Sequence, residues 1–85
     1  MTYTIIISDR VLKQLGKLEK SVQERILNAL ERIKIRPESF VTKLVGEQGY
    51  KFRVGDYGVI MDIEKSRLNI LILKVGHRKG IYKNL

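Results

Sequence analysis

Residues 50–64, YKFRVGDYGVIMDIE, change the apolar rhythm of the chain from a helical period to a period of two. Successive side chains of an extended chain point to opposite faces, so Tyr50, Phe52 and Val54 share one side while Lys51 and Arg53 take the other. Gly55-Asp56 interrupts as a turn, after which Val59, Met61 and Ile63 alternate with Ile60, Asp62 and Glu64. The stretch therefore reads as two strands with a tight connection. One residue does not fit: a second glycine, Gly58, stands where the new strand should begin. Taken alone it reads as a bulge or a positive φ.

Upstream, the pattern is different. Thr2–Ile7 (TYTIII) is rich in β-branched residues and predicts a strand. Ser8 or Asp9 can cap a first helix whose stripe is Val11, Leu15 and Leu18, with Leu12 beside them, ending near Lys20. Ser21-Val-Gln-Glu24 has the form of a capping box, and Val22, Ile26, Leu30 and Ile33 continue at helical spacing. Arg36 precedes Pro37, so this second helix should stop near Ile35. Downstream, Leu68–Val75 (LNILILKV) is almost continuously apolar and reads as a strand covered on both faces. Glu64–Arg67 makes its hairpin connection, and a final short strand is expected to include Ile81 and Tyr82. The order β-α-α-β-β-β-β gives one α+β domain over residues 1–85, with two helices packed on one face of a small, antiparallel-rich sheet.

Composition narrows the function classes. At 85 residues and 44% hydrophobic content, the chain suits one small core. It has no cysteine and one histidine, which leaves no disulfide framework and too few ligands for a zinc cluster. No apolar run is long enough to span a membrane and no signal-peptide pattern opens the chain, so a cytoplasmic protein is expected. Walker, dinucleotide and nucleophile-elbow patterns are missing; Gly46, Gly49 and Gly55 read as turn residues. The formal net charge of +8 is the informative number. From Lys65 onward there are Lys65, Arg67, Lys74, Arg78, Lys79 and Lys83 but no acid, a footprint suited to phosphates or to an acidic protein partner.

If helices cover one side of the sheet, Lys51 and Arg53 lie on the other. The ending KVGHRKGIYKNL adds His77, Arg78, Lys79 and Tyr82. Gathered cations repel one another unless a polyanion neutralises them, and an RNA backbone would do so. Arginine offers a planar fork for phosphate oxygens, and a lysine beside other cations gives up its proton more readily and can serve as a base. An exposed tyrosine supplies a ring for an unstacked base. The plainer reading is that such residues keep the sheet soluble and its edges unpaired.

The segments KLVG, YKFRVGDYGVIMDI and LKVGHRKGIY, in this order of elements, resemble the RelE branch of the RelE/ParE toxin superfamily over essentially the whole chain. The resemblance implies a toxin of a type II toxin–antitoxin system that cleaves messenger RNA in the ribosomal A site and inhibits translation. It implies cleavage without metal or other cofactor, a cognate antitoxin in a heterotetramer or larger complex, and no membrane association. Matched by position, Lys51 is the base for the 2′-hydroxyl, and Arg53 supports it and holds phosphate. Arg78 stabilises the transition state and is the candidate donor to the leaving oxygen, and Tyr82 stacks on or orients the base. Lys43, His77, Lys79 and Lys83 are further RNA-contact candidates. The departure is at position 58, where the family usually continues G-D-Y-R and this chain has Gly58. Turn chemistry, natural attenuation and a change selected because the active toxin poisons its host all account for it at this level. A ParE-like poison of DNA gyrase and a non-catalytic relic that only binds antitoxin are the alternative readings.

Overall fold

Two helices form on the predicted stripes, but the first ends at Gly16 rather than near Lys20, which leaves Leu18 in the joint between them. The computed structural model describes residues 2–82. Helix α1 (Asp9–Gly16) is capped by Ser8, whose hydroxyl accepts from the Val11 N–H at 3.3 Å, and it buries Val11 and Leu15. Helix α2 runs Lys20–Ile33 and buries Val22, Ile26, Ala29, Leu30 and Ile33. It begins earlier than the capping box implied. Glu19 stands at the N-cap without a side-chain bond, and its carbonyl accepts from both Val22 and Gln23, so Ser21 lies inside the first turn. The α1–α2 joint is closed by Gln23, whose side-chain amide donates to the Leu18 carbonyl at 2.8 Å. Beyond α2, Arg36 leaves the helical region (φ −145°, ψ 71°), as a residue before proline is biased to do, and Pro37 opens a 3₁₀ turn through Ser39.

Among the described residues, five strands make one sheet: β1 (Thr4–Ile7), β2 (Thr42–Lys43), β3 (Tyr50–Val54), β4 (Tyr57–Glu64) and β5 (Asn69–His77). Their spatial order is β1-β5-β4-β3-β2; β1 runs parallel to β5 and every other pair is antiparallel. The architecture is thus the expected α+β domain, and the count of strands after the helices is also as expected. Their placement differs. The fourth such strand is Thr42–Lys43, ahead of the hairpin, whereas Ile81 belongs to a short helix, α3 (Arg78–Ile81), with Tyr82 as its C-cap. His77 stops the strand by accepting the Lys79 N–H on Nδ1, which turns the chain into helical geometry.

Helix α1 packs against β5 and α2 against β3, covering one face only. Val59, Met61, Ile70, Ile72 and Val75 meet Val11, Ile26, Leu30 and Ile33 there. The other face is open. LNILILKV was expected to be covered on both sides, yet Leu73 is 47% exposed and Leu71 only half-buried. Its alternation is masked because apolar residues occupy the open face too. A bulge adds to this: Ile60 pairs with Lys74 but Met61 with Ile72, leaving Leu73 without a β4 partner. Near it, the Val75 N–H donates to the Gln14 side-chain oxygen at 3.0 Å, tying α1 to the sheet.

Candidate active site

The register places the cations. Lys51 faces Thr42 on β2 and Ile60 on β4, and Arg53 faces Gly58, all on the open side. Helix α3 then folds back from the end of β5 and delivers Arg78 and Tyr82 to the same place, anchored by the Arg78 N–H donating to the Asp56 carbonyl at 3.0 Å. The result is a cleft of about 340 Å³ lined by Phe40, Thr42, Lys51, Arg53, Arg78 and Tyr82.

Each side chain in the cleft has a definite setting. The Tyr82 hydroxyl donates to the Phe52 carbonyl at 3.1 Å, and the Lys51 ammonium stands 5.5 Å from the centre of the Tyr82 ring, within cation–π range. Burial pushes the Tyr82 phenol above its ordinary value, with Arg53 and Arg78 pulling the other way. Arg53 turns its Nε to the Gly55 carbonyl at 3.1 Å, which fixes the start of its guanidinium over the turn. Arg78 Nε is buried and has no hydrogen-bond partner among the described residues. A buried, unmatched cationic donor is costly unless an acceptor arrives, and a phosphate oxygen is such an acceptor. The acids are elsewhere. Among the described residues the ion pairs are Lys34–Glu31 and Lys65–Glu38, while Asp62 accepts from Gln48 and Glu64 from Asn69.

Among the described residues, Lys51, Arg53 and Arg78 have no carboxylate partner and stand beside the Tyr82 ring on the open face of the sheet. Residues 5–82 match the family model described as the ParE toxin of type II toxin–antitoxin systems. The chain belongs to the RelE/ParE family of type II toxins. A relative in Methanocaldococcus jannaschii that carries the name toxin RelE1 is 32% identical over 89 residues, covering 99% of each chain. The archaeal RelE in the RelE–RelB complex of Pyrococcus horikoshii is 31% identical, with a TM-score of 0.75 over 94% of this chain and 99% of that one. A chain of the RelBE2 complex of Mycobacterium tuberculosis shares the fold at a TM-score of 0.84 and 22% identity, over 92% of this chain and 100% of that one.

In this RelE/ParE toxin the cleft contains Lys51, Arg53, Arg78 and Tyr82 together, but not the other candidates. Lys43 pairs with Tyr50, not Lys51, and so lies on the helix-covered side of the sheet. His77 pairs with Tyr57, packs edge-on against its ring at 5.5 Å, and spends Nδ1 on the α3 cap. Lys79 is exposed on α3 outside the cleft lining, and Lys83 lies outside the described residues. Thr42 and Phe40 line the cleft and were not among the candidates. Thr42 becomes legible only with the β2–β3 register, and Phe40 only with its position just ahead of β2 and its 55% exposure. Gly58 also needs a new account. Its φ is not positive, and the bulge lies two residues further on. It is buried beneath the side chain of Tyr82.

Proposed function

We propose that this toxin is a ribosome-dependent messenger-RNA endonuclease, neutralised in the cell by a cognate antitoxin. The observation that carries the reading is the convergence of Lys51, Arg53 and Arg78 on one cleft, with the buried Arg78 Nε unmatched among the described residues. In this scheme a nucleotide of the message lies in the cleft with its base on the Tyr82 ring. Lys51, in its neutral form, takes the proton of the 2′-hydroxyl, and the freed oxygen attacks the adjacent phosphorus. Arg53 and Arg78 meet the charge that builds on the pentavalent phosphorane. The bond to the 5′ oxygen breaks and that oxygen gains a proton, for which the cleft offers the Arg78 guanidinium and the ammonium formed on Lys51. The products are a 2′,3′-cyclic phosphate and a 5′-hydroxyl, and the scheme uses no metal.

The solved RelE–RelB complexes of the relatives support an antitoxin partner for this chain, and we extend this to a heterotetramer or larger assembly. Its net charge of +8 suits an acidic segment that folds as it binds. The family model, named for ParE, favours a second reading in which DNA gyrase is the target.

Primer extension on translated messages after induction separates these readings. Cuts at the ribosomal A site, lowered on the order of 10²–10³-fold by Arg78→Ala, are expected. Intact messages with accumulated cleaved DNA would move the function to gyrase. Intact messages and intact DNA would leave a non-catalytic relic, and A-site cuts undiminished by Arg78→Ala would remove Arg78 from the chemistry.

A further inference from the structure

The glycine that departs from the family pattern has a neighbour that explains it. Gly58 on β4 pairs across the sheet with Gly76 on β5, so two residues without side chains lie side by side on the open face. The end of α3 rests on this bare patch. A Cβ built at Gly58 would collide with the Tyr82 hydroxyl and would stand 2.6 Å from the ring carbon that bears it, and 2.9 Å from Ile81 Cδ1. One at Gly76 would stand 2.9 Å from Ile81 Cγ2. The methyl end of Ile81 can turn aside. The Tyr82 ring is rigid and held by its bond to the Phe52 carbonyl beside Lys51, so making room at position 58 must move the ring and disturb that bond.

We propose that Gly58 is a positioning residue: with Gly76 it forms the seat that holds Tyr82 in the cleft, and any side chain at position 58 unseats that ring. On this account Gly58 is not simply a missing phosphate ligand. With Tyr82 in its present place there is no room for a side chain at 58, so Gly58→Arg must displace the ring from this seat. The catalytic consequence rests on the nuclease reading above; the seat itself does not.

The test is a cycle of Gly58→Ala, Tyr82→Ala and the double variant, read in two ways. The first needs no RNA. With ¹³C-labelled tyrosine, the Tyr82 ring signal is followed through its alkaline titration. In wild type the midpoint lies above the ordinary phenol value; in Gly58→Ala, and equally in Gly58→Arg, it falls to that value as the ring enters water. An unchanged midpoint in both would overturn the proposal. The second readout is cleavage of translated message. Gly58→Ala should lower it by the same factor as Tyr82→Ala, and adding Gly58→Ala to Tyr82→Ala should change it less than twofold. Equal losses from Gly58→Ala in both backgrounds would show that position 58 acts independently of Tyr82. Far-UV circular dichroism of the double variant, in which the added methyl group has room, checks that the sheet still forms. If wild type cleaves nothing, the nuclease reading fails while the titration still decides the seat.

Discussion

Tyr82 joins several properties of the cleft in one side chain. Its hydroxyl donates to the Phe52 carbonyl of β3, its ring lies under Lys51, and Arg53 and Arg78 flank it from β3 and α3. Burial outweighs the two cations and raises its pKa, so the folded state holds the phenolic proton more tightly than the unfolded chain does. The sign follows from that. The stabilisation is whole below the unfolded value near 10 and is lost as pH rises through the folded value. Wild type should therefore lose stability in that alkaline window relative to Tyr82→Phe, measured by urea midpoints at each pH. A difference that stays flat through the window would mean the phenol is not docked. Lys51 and Arg53 were legible in sequence because strand alternation alone puts them on one face. Lys43 and His77 were not, because their sides depend on a partner strand and on a helix cap.

Among the elements, α1 and β5 show how a polar residue in a helix can complete a sheet. The bulge at Leu73 disturbs the ladder, and Gln14 reaches from α1 to take the Val75 N–H. Replacing Gln14 by Ala leaves that donor unmatched under α1. It should cost about 1–3 kcal/mol in denaturant unfolding, with the m-value unchanged. A loss within a few tenths of a kcal/mol would show that the bond contributes little. Helical spacing sets Gln14 on the sheet-facing side, three residues after Val11 and four before Leu18, but it does not say which backbone group the side chain meets. The exchange of an expected last strand for α3 has a similar origin. Apolar Ile81 and Tyr82 fit either state locally, and the His77 cap together with the glycine seat decides for the helix. The shift in the start of α2 is of the same kind: Ser21 and Glu24 have capping-box spacing, but the Glu19 carbonyl already receives the first turn's N–H groups.

Across the molecule, the fold depends on one apolar layer between two helices and five strands. Ile70, at the β5 position between parallel β1 and antiparallel β4, is fully buried. Ile70→Ala should destabilise the chain by about 2–5 kcal/mol, read from thermal or urea unfolding. In a domain of 85 residues, that is a large part of the stability available. A change below 1 kcal/mol would mean that the layer collapses around the gap. The sequence by itself determined the two amphipathic helices, the hairpin of β3 and β4, the α+β class and the cationic face of β3, because each follows from local periodicity. Only the tertiary structure decided the parallel pairing of β1 with β5, the side taken by Lys43 and His77, the place of Thr42 and Phe40 in the cleft, and the reason for Gly58. Those depend on which strand lies beside which and on what packs above a given Cα. The spacing along the chain carries no trace of a ring from residue 82 resting on residue 58.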